Sequence, residues 1–112
     1  MGGLVAANYV SNNADKVNGL VLLASYPSNE IPDSVNLLSI YGSEDGCLEK
    51  DVYEKDKENW PKNFDELIID GGNHAQFGDY GNQSKDGKAS ILKEEQWDIT
   101  TNKIIEWRNN WK

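Results

Sequence analysis

His74 is the only histidine in the chain, and it lies in the run Glu66-Leu67-Ile68-Ile69-Asp70-Gly71-Gly72-Asn73-His74-Ala75-Gln76-Phe77-Gly78. The run begins apolar and ends in glycines, which reads as a buried strand delivering a loop. Loops at strand ends are where scaffolds present reactive groups. Imidazole has the unperturbed pKa nearest neutrality, so His74 is the candidate general base. The plain alternative is a loop histidine that only hydrogen-bonds backbone. A histidine base works best when a carboxylate holds one tautomer and stabilises the imidazolium. Asp45, in Gly42-Ser43-Glu44-Asp45-Gly46, precedes His74 by one strand-helix-strand unit and is the best partner. Glu44 and Asp79 are the alternatives. Asp79 shares the loop of His74, where rigid orientation is harder to achieve.

A nucleophile is harder to find. Ser25 and Ser43 both end apolar runs. No elbow glycines frame Ser25, and Ser43 reads more simply as a turn residue. Cys47 follows Asp45 by two positions, and a nearby carboxylate opposes thiolate formation. It reads as a structural or incidental thiol. His74, Asp70 and Asp79 could be imagined as metal ligands, but they match no ligand set of known spacing. There is no Cys/His cluster for structural zinc, and no cofactor is expected.

The elements that must position these residues can be read from the apolar pattern. Met1 to about Asn13 reads as a helix with Leu4, Val5, Tyr9 and Val10 on its apolar face. Gly2 and Gly3 weaken its first turn, by about a kcal/mol each relative to alanine, and call for something that approaches closely. Leu20 to Ala24 and Val35 to Tyr41 are apolar without alternation, the pattern of strands buried on both faces. Tyr26 to Asp33, with two prolines, is a loop. Glu49 to about Asn59 is a charged helix stopped before Pro61. Glu66 to Ile69 is the third strand. Gly71 to Ala89 reads as a long loop, too polar to bury. Lys93 onward is a helix with Trp97, Thr101, Ile104, Ile105 and Trp111 along one face.

Alternating buried strands and helices imply an α/β fold: a parallel sheet of about three strands with helices on its faces, in one domain over residues 1–112. Ligands bind such sheets beyond the carboxyl ends of the strands. Asp45 and His74 both come just after carboxyl ends, so neighbouring strands would bring them to one rim.

Composition narrows the function classes. Lys and Arg number 11 against 19 Asp and Glu, a net charge of −8, with no basic stripe. That argues against a nucleic-acid partner. No apolar run approaches the length of a membrane span, so no membrane partner is expected. Cys47 is the only cysteine, which excludes an internal disulfide and fits a reducing compartment. Met1 to Ala6 lack the basic region of a signal peptide, and Ala6 stands where myristoylation wants Ser or Thr. The expected location is the cytoplasm. Asn82-Gln83-Ser84 is a glycosylation sequon of the kind that arises by chance.

Two loops and a helix start carry a family resemblance. Gly42-Ser43-Glu44-Asp45-Gly46 resembles the acid loop of α/β-hydrolases, and Gly71 to Gly81 resembles the histidine loop of one of their subgroups. Met1-Gly2-Gly3-Leu4-Val5-Ala6-Ala7 is similar to the segment just after the nucleophile serine, which sits in a strained G-x-S-x-G turn. The resemblance implies the C-terminal half of a hydrolase domain, with Asp45 as triad acid and His74 as base. Met1 and Gly2 would be the elbow residues of the oxyanion site. No G-x-S-x-G occurs in the sequence. The resemblance would place the serine immediately before Met1, in a longer protein cut or started at an internal methionine. Esterase-like acyl hydrolysis of a small-molecule ester is implied for the parent enzyme, and inactivity for these 112 residues alone. The different-class alternative is an interaction fragment. The apolar Leu20 to Ala24 edge would pair with a second copy or with a companion N-terminal fragment.

Overall fold

The computed structural model describes residues 2–111. Three parallel strands form one open sheet in the order β1 (Gly19–Leu23), β2 (Asn36–Gly42), β3 (Phe64–Ile69). Leu20 pairs with Leu37, and Gly42 pairs with Ile69. The helices are α1 (Gly2–Asn12), α2 (Lys50–Asp56) and α3 (Lys93–Asn109). Short 3-10 turns come after α1, α2 and His74. Among the described residues, no helix is long and apolar enough to cross a membrane.

Helices pack on both faces of the sheet, but only β2 is buried on both, as its lack of alternation requires. β1, expected to be buried on both, is buried at Leu20 and Leu22 and open at Leu23, because it lies at the sheet's edge. On one face Leu22, Leu37 and Tyr41 pack with Ala7 and Val10 of α1 and Tyr53 of α2. On the other, Leu38, Ile40 and Ile69 pack with Trp107 of α3. An aromatic chain runs through the first layer. Tyr41, Tyr53, Trp60 and Phe64 meet edge to face at 5.0, 5.3 and 4.8 Å, an arrangement that adds to simple burial. The phenol of Tyr53 donates to Glu66 Oε2 at 2.5 Å and accepts from Ser39 Oγ at 2.7 Å. Lys57 closes the network on Glu66 at 3.0 Å.

Two helical faces differ from expectation. On α1 the buried residues are Ala7 and Val10, whereas Leu4, Val5 and Tyr9 are exposed. Small residues make this contact because α1 lies close to the end of β1. A Cβ at Gly3 would overlap Ser25 Oγ, whereas one at Gly2 would meet nothing within 4 Å. The close approach that Gly3 calls for is therefore with Ser25, inside this chain. Ala24 adopts the left-handed conformation (φ 54°) just after β1, in the turn that carries Ser25 to this position. On α3 the helical period holds but its phase shifts. Gln96, Thr100 and Trp107 are buried, while Thr101 and Ile105 face solvent and Trp97 is partly exposed. The reason is Gln96, a polar residue drawn into the interior by the loop it binds.

Candidate active site

The carboxyl ends of β2 and β3 lie side by side, and the loops that leave them are stitched together by backbone. Ser43 N–H donates to Ile69 O at 2.9 Å and Glu44 N–H to Gly72 O at 2.8 Å. Ser43 Oγ accepts the Gly71 N–H at 2.8 Å, the turn role its sequence context suggests. This stitching needs close passage of the two chains. A Cβ at Gly42 would overlap the Gly72 carbonyl.

That scaffold places Asp45 against His74. The Asp45 side chain is 0% exposed and His74 is 30% exposed. His74 Nδ1 lies 2.9 Å from Asp45 Oδ2. The other oxygen, Oδ1, accepts the N–H groups of Cys47 and Leu48, each at 2.8 Å. All three partners are donors when His74 carries its proton on Nδ1, which suits an acceptor-only carboxylate. The bond then leaves the Nε2 lone pair free, and His74 lines a pocket with Leu4, Ser25 and Cys47. The buried carboxylate orients the ring, and the ring faces an accessible space.

The other candidate acids lie elsewhere. Glu44 is exposed. Asp79 is exposed and paired with Lys93 at 2.9 Å. Asp70 is exposed and does not group with His74 as a potential metal ligand. Ser25 Oγ is buried without a hydrogen-bond partner and shares the pocket of His74. Gly2 stands exposed at the start of α1. Met1 lies outside the described residues. Burial raises the Cys47 thiol pKa, with Asp86 and Asp45 adding to the shift, so the thiol is not an activated nucleophile.

The histidine loop is less exposed than its polar sequence suggests. Gly71, Gly72, Asn73 and Ala75 are buried. The acid loop and Ser90 bond the backbone of the two glycines, and the side chains of Gln96 and Asp86 bond that of Asn73, His74 and Ala75. Gln96 Nε2 donates to Asn73 O at 2.9 Å, and its Oε1 accepts the Asn73 N–H at 3.2 Å. Asp86 accepts the N–H groups of His74 at 3.1 Å, Ala75 at 2.9 Å and Gly46 at 3.2 Å. Asp86 thus ties the acid loop to the histidine loop. The segment carrying it crosses both, with Gly87 N–H donating to Glu44 O at 3.0 Å and Asn73 Nδ2 donating to Gly87 O at 3.0 Å. Sequence reasoning passed over Gln96 and Asp86 because neither stands in a motif. The apolar pattern of α3 puts Gln96 off its predicted core face and so gives no signal for it; the signal for Asp86 is an acid inside a glycine-rich loop.

A model described as the alpha/beta hydrolase family matches residues 1–98 of the chain. No curated protein and no solved structure matches it.

Proposed function

We infer a catalytic acid–base pair in Asp45 and His74 from the premise that this chain belongs to the alpha/beta hydrolase family. The observation that carries the reading is the 2.9 Å contact between a fully buried carboxylate and the sole, partly exposed imidazole. In acyl hydrolysis, His74 Nε2 takes the proton of an attacking hydroxyl. Asp45 stabilises the imidazolium without itself taking the proton, and Nε2 then returns the proton to the leaving group. The substrate class is a small ester or a related acyl compound.

The nucleophile in this reading is a serine directly before Met1, outside these 112 residues, in a G-x-S-x-G turn whose last two positions are Met1 and Gly2. No described hydroxyl hydrogen-bonds His74, which is compatible with such a partner. The backbone N–H of Met1 would serve the oxyanion, with Gly2 letting the elbow approach. The 112-residue chain alone should therefore not turn over an activated ester. A chain with the elbow segment joined before Met1 should hydrolyse it and react with a fluorophosphonate probe. Turnover by the 112 residues themselves, lost in His74→Ala and Asp45→Asn, would overturn the placement of the nucleophile. An elbow-extended, folded chain with no turnover would count against the hydrolytic reading.

A second reading rests on the edge of the sheet. Among the described residues β1 has a strand neighbour on one side only, β2. An open edge of this kind accepts a strand from another segment or a second copy. Light scattering after size exclusion separates the cases: a dimer supports pairing through this edge, and a monomer without a companion polypeptide contradicts it.

A further inference from the structure

Asp45, Cys47 and His74 each offer one ligand atom, and the three atoms lie within 4.8 Å of one another. The set combines a carboxylate oxygen, a thiol sulfur and an imidazole nitrogen. Mg²⁺ and Ca²⁺ favour oxygen-only sites, whereas zinc accepts O, N and S together in a tetrahedron. Ligands held about 2.0–2.3 Å from a tetrahedral zinc ion stand roughly 3.3–3.8 Å apart. Closing the set therefore takes a small separation of Asp45 Oδ2 and His74 Nδ1, now 2.9 Å apart, and an approach of Cys47. Two of the three residues, Cys47 and His74, line a pocket, which gives an ion a path in. Pocket space beyond them leaves room for a fourth ligand, such as water.

We propose that Asp45, Cys47 and His74 form a binding site for a thiophilic divalent cation of the zinc class. Binding breaks the contact of Cys47 Sγ with Ser84 O, which is 3.5 Å long, and the 2.9 Å hydrogen bond of His74 Nδ1 to Asp45 Oδ2. The thiol proton leaves to solvent, and sulfur donates its electron pair to the metal. With Nδ1 as the ring ligand, the imidazole proton moves from Nδ1 to Nε2 and the ring releases none. One proton is therefore released per ion. The Nε2 lone pair disappears, so the ion inhibits wherever Nε2 acts as base. The inhibition rests on the catalytic reading above; the binding does not.

Binding is measured on the 112-residue chain with Co²⁺ and Zn²⁺, without reference to activity. Co²⁺ should give a sulfur-to-cobalt charge-transfer band in the near ultraviolet and tetrahedral bands in the visible, at one ion per chain. Zn²⁺ should displace it, and Ca²⁺ should not. Cys47→Ser, checked for folding by circular dichroism, should abolish the charge-transfer band and weaken binding about tenfold or more. In the unaltered protein, Zn²⁺ should slow alkylation of Cys47 by iodoacetamide. Absence of the charge-transfer band, or alkylation unaffected by saturating Zn²⁺, overturns the proposal. A failure of ester hydrolysis leaves these readouts unchanged, so the two readings fail separately.

Discussion

Asp86 Oδ1 accepts the backbone N–H of His74 at 3.1 Å, from 12 residues further along the chain. The same oxygen takes Gly46 N–H from the acid loop, while Oδ2 takes Ala75 N–H. One carboxylate therefore fixes the backbone on both sides of the Asp45–His74 pair. It holds the ring's attachment point while Asp45 holds the ring itself. A bonded pair on two separate loops keeps its geometry only if the loops keep theirs.

Asp86→Ala removes all three of these hydrogen bonds. Hydrogen bonds to a charged group contribute about 1.5–3 kcal/mol each when buried. Asp86 is partly exposed, so the whole loss should be discounted to about 2 kcal/mol. Asp86→Asn keeps one acceptor oxygen and should lose less. Urea unfolding checks this: wild-type midpoints in both variants would show that the tie does not stabilise the fold.

The two glycines that open α1 should respond oppositely to the same change. Gly2→Ala meets open space and should be neutral or stabilising by up to about 1 kcal/mol through helix propensity. Gly3→Ala drives a methyl into Ser25 and should destabilise despite the same propensity gain. Adding Ser25→Gly to Gly3→Ala should restore stability. Thermal melts of the four proteins test this, and equal shifts for Gly2→Ala and Gly3→Ala would contradict the close approach.

Tyr53 sets an alkaline limit on stability. Burial pushes its phenol well above the ordinary 10.0, and the hydrogen bond to Glu66 adds to the shift while Ser39 opposes it. Above pH 10 the unfolded chain loses this proton while the folded chain keeps it. The folded state then binds more protons than the unfolded state, so stability falls as pH rises. The contribution is complete below about pH 10 and declines above it, by at most about 1.4 kcal/mol per pH unit. Tyr53→Phe should be less stable at pH 7, where it strands Ser39 and Glu66, yet show a shallower alkaline decline. Urea titrations from pH 7 to 11 compare the slopes; parallel curves would contradict the assignment.

The sheet and the pair at its rim were legible for a shared physical reason. Val35 to Tyr41 lacks alternation because both faces of β2 are covered, as in parallel sheets whose carboxyl ends lie together. In β1, by contrast, Leu20 and Leu22 are buried and Leu23 is 39% exposed. The places of Asp45 and His74 are then set by position. What escaped reading was polar. Gln96 occupies a core-facing turn of α3 because it satisfies the Asn73 backbone, and an apolar period assigns that position to the wrong face. Asp86 binds backbone groups of three residues, and backbone groups leave no mark in a sequence. On α1 the contact is made by Gly3, Ala7 and Val10, and the larger Leu4, Val5 and Tyr9 drew the predicted face away from it.

Because His74 is the only imidazole in the chain, its ring nitrogens can be observed alone by long-range ¹H–¹⁵N correlation. At a pH where the ring is neutral, the Asp45 contact predicts one tautomer, with the proton on Nδ1 and the lone pair on Nε2. Asp45→Asn should shift the population away from that tautomer. A neutral ring protonated mainly on Nε2, or averaging freely between both forms in the unaltered protein, would contradict an imidazole held as a base by Asp45.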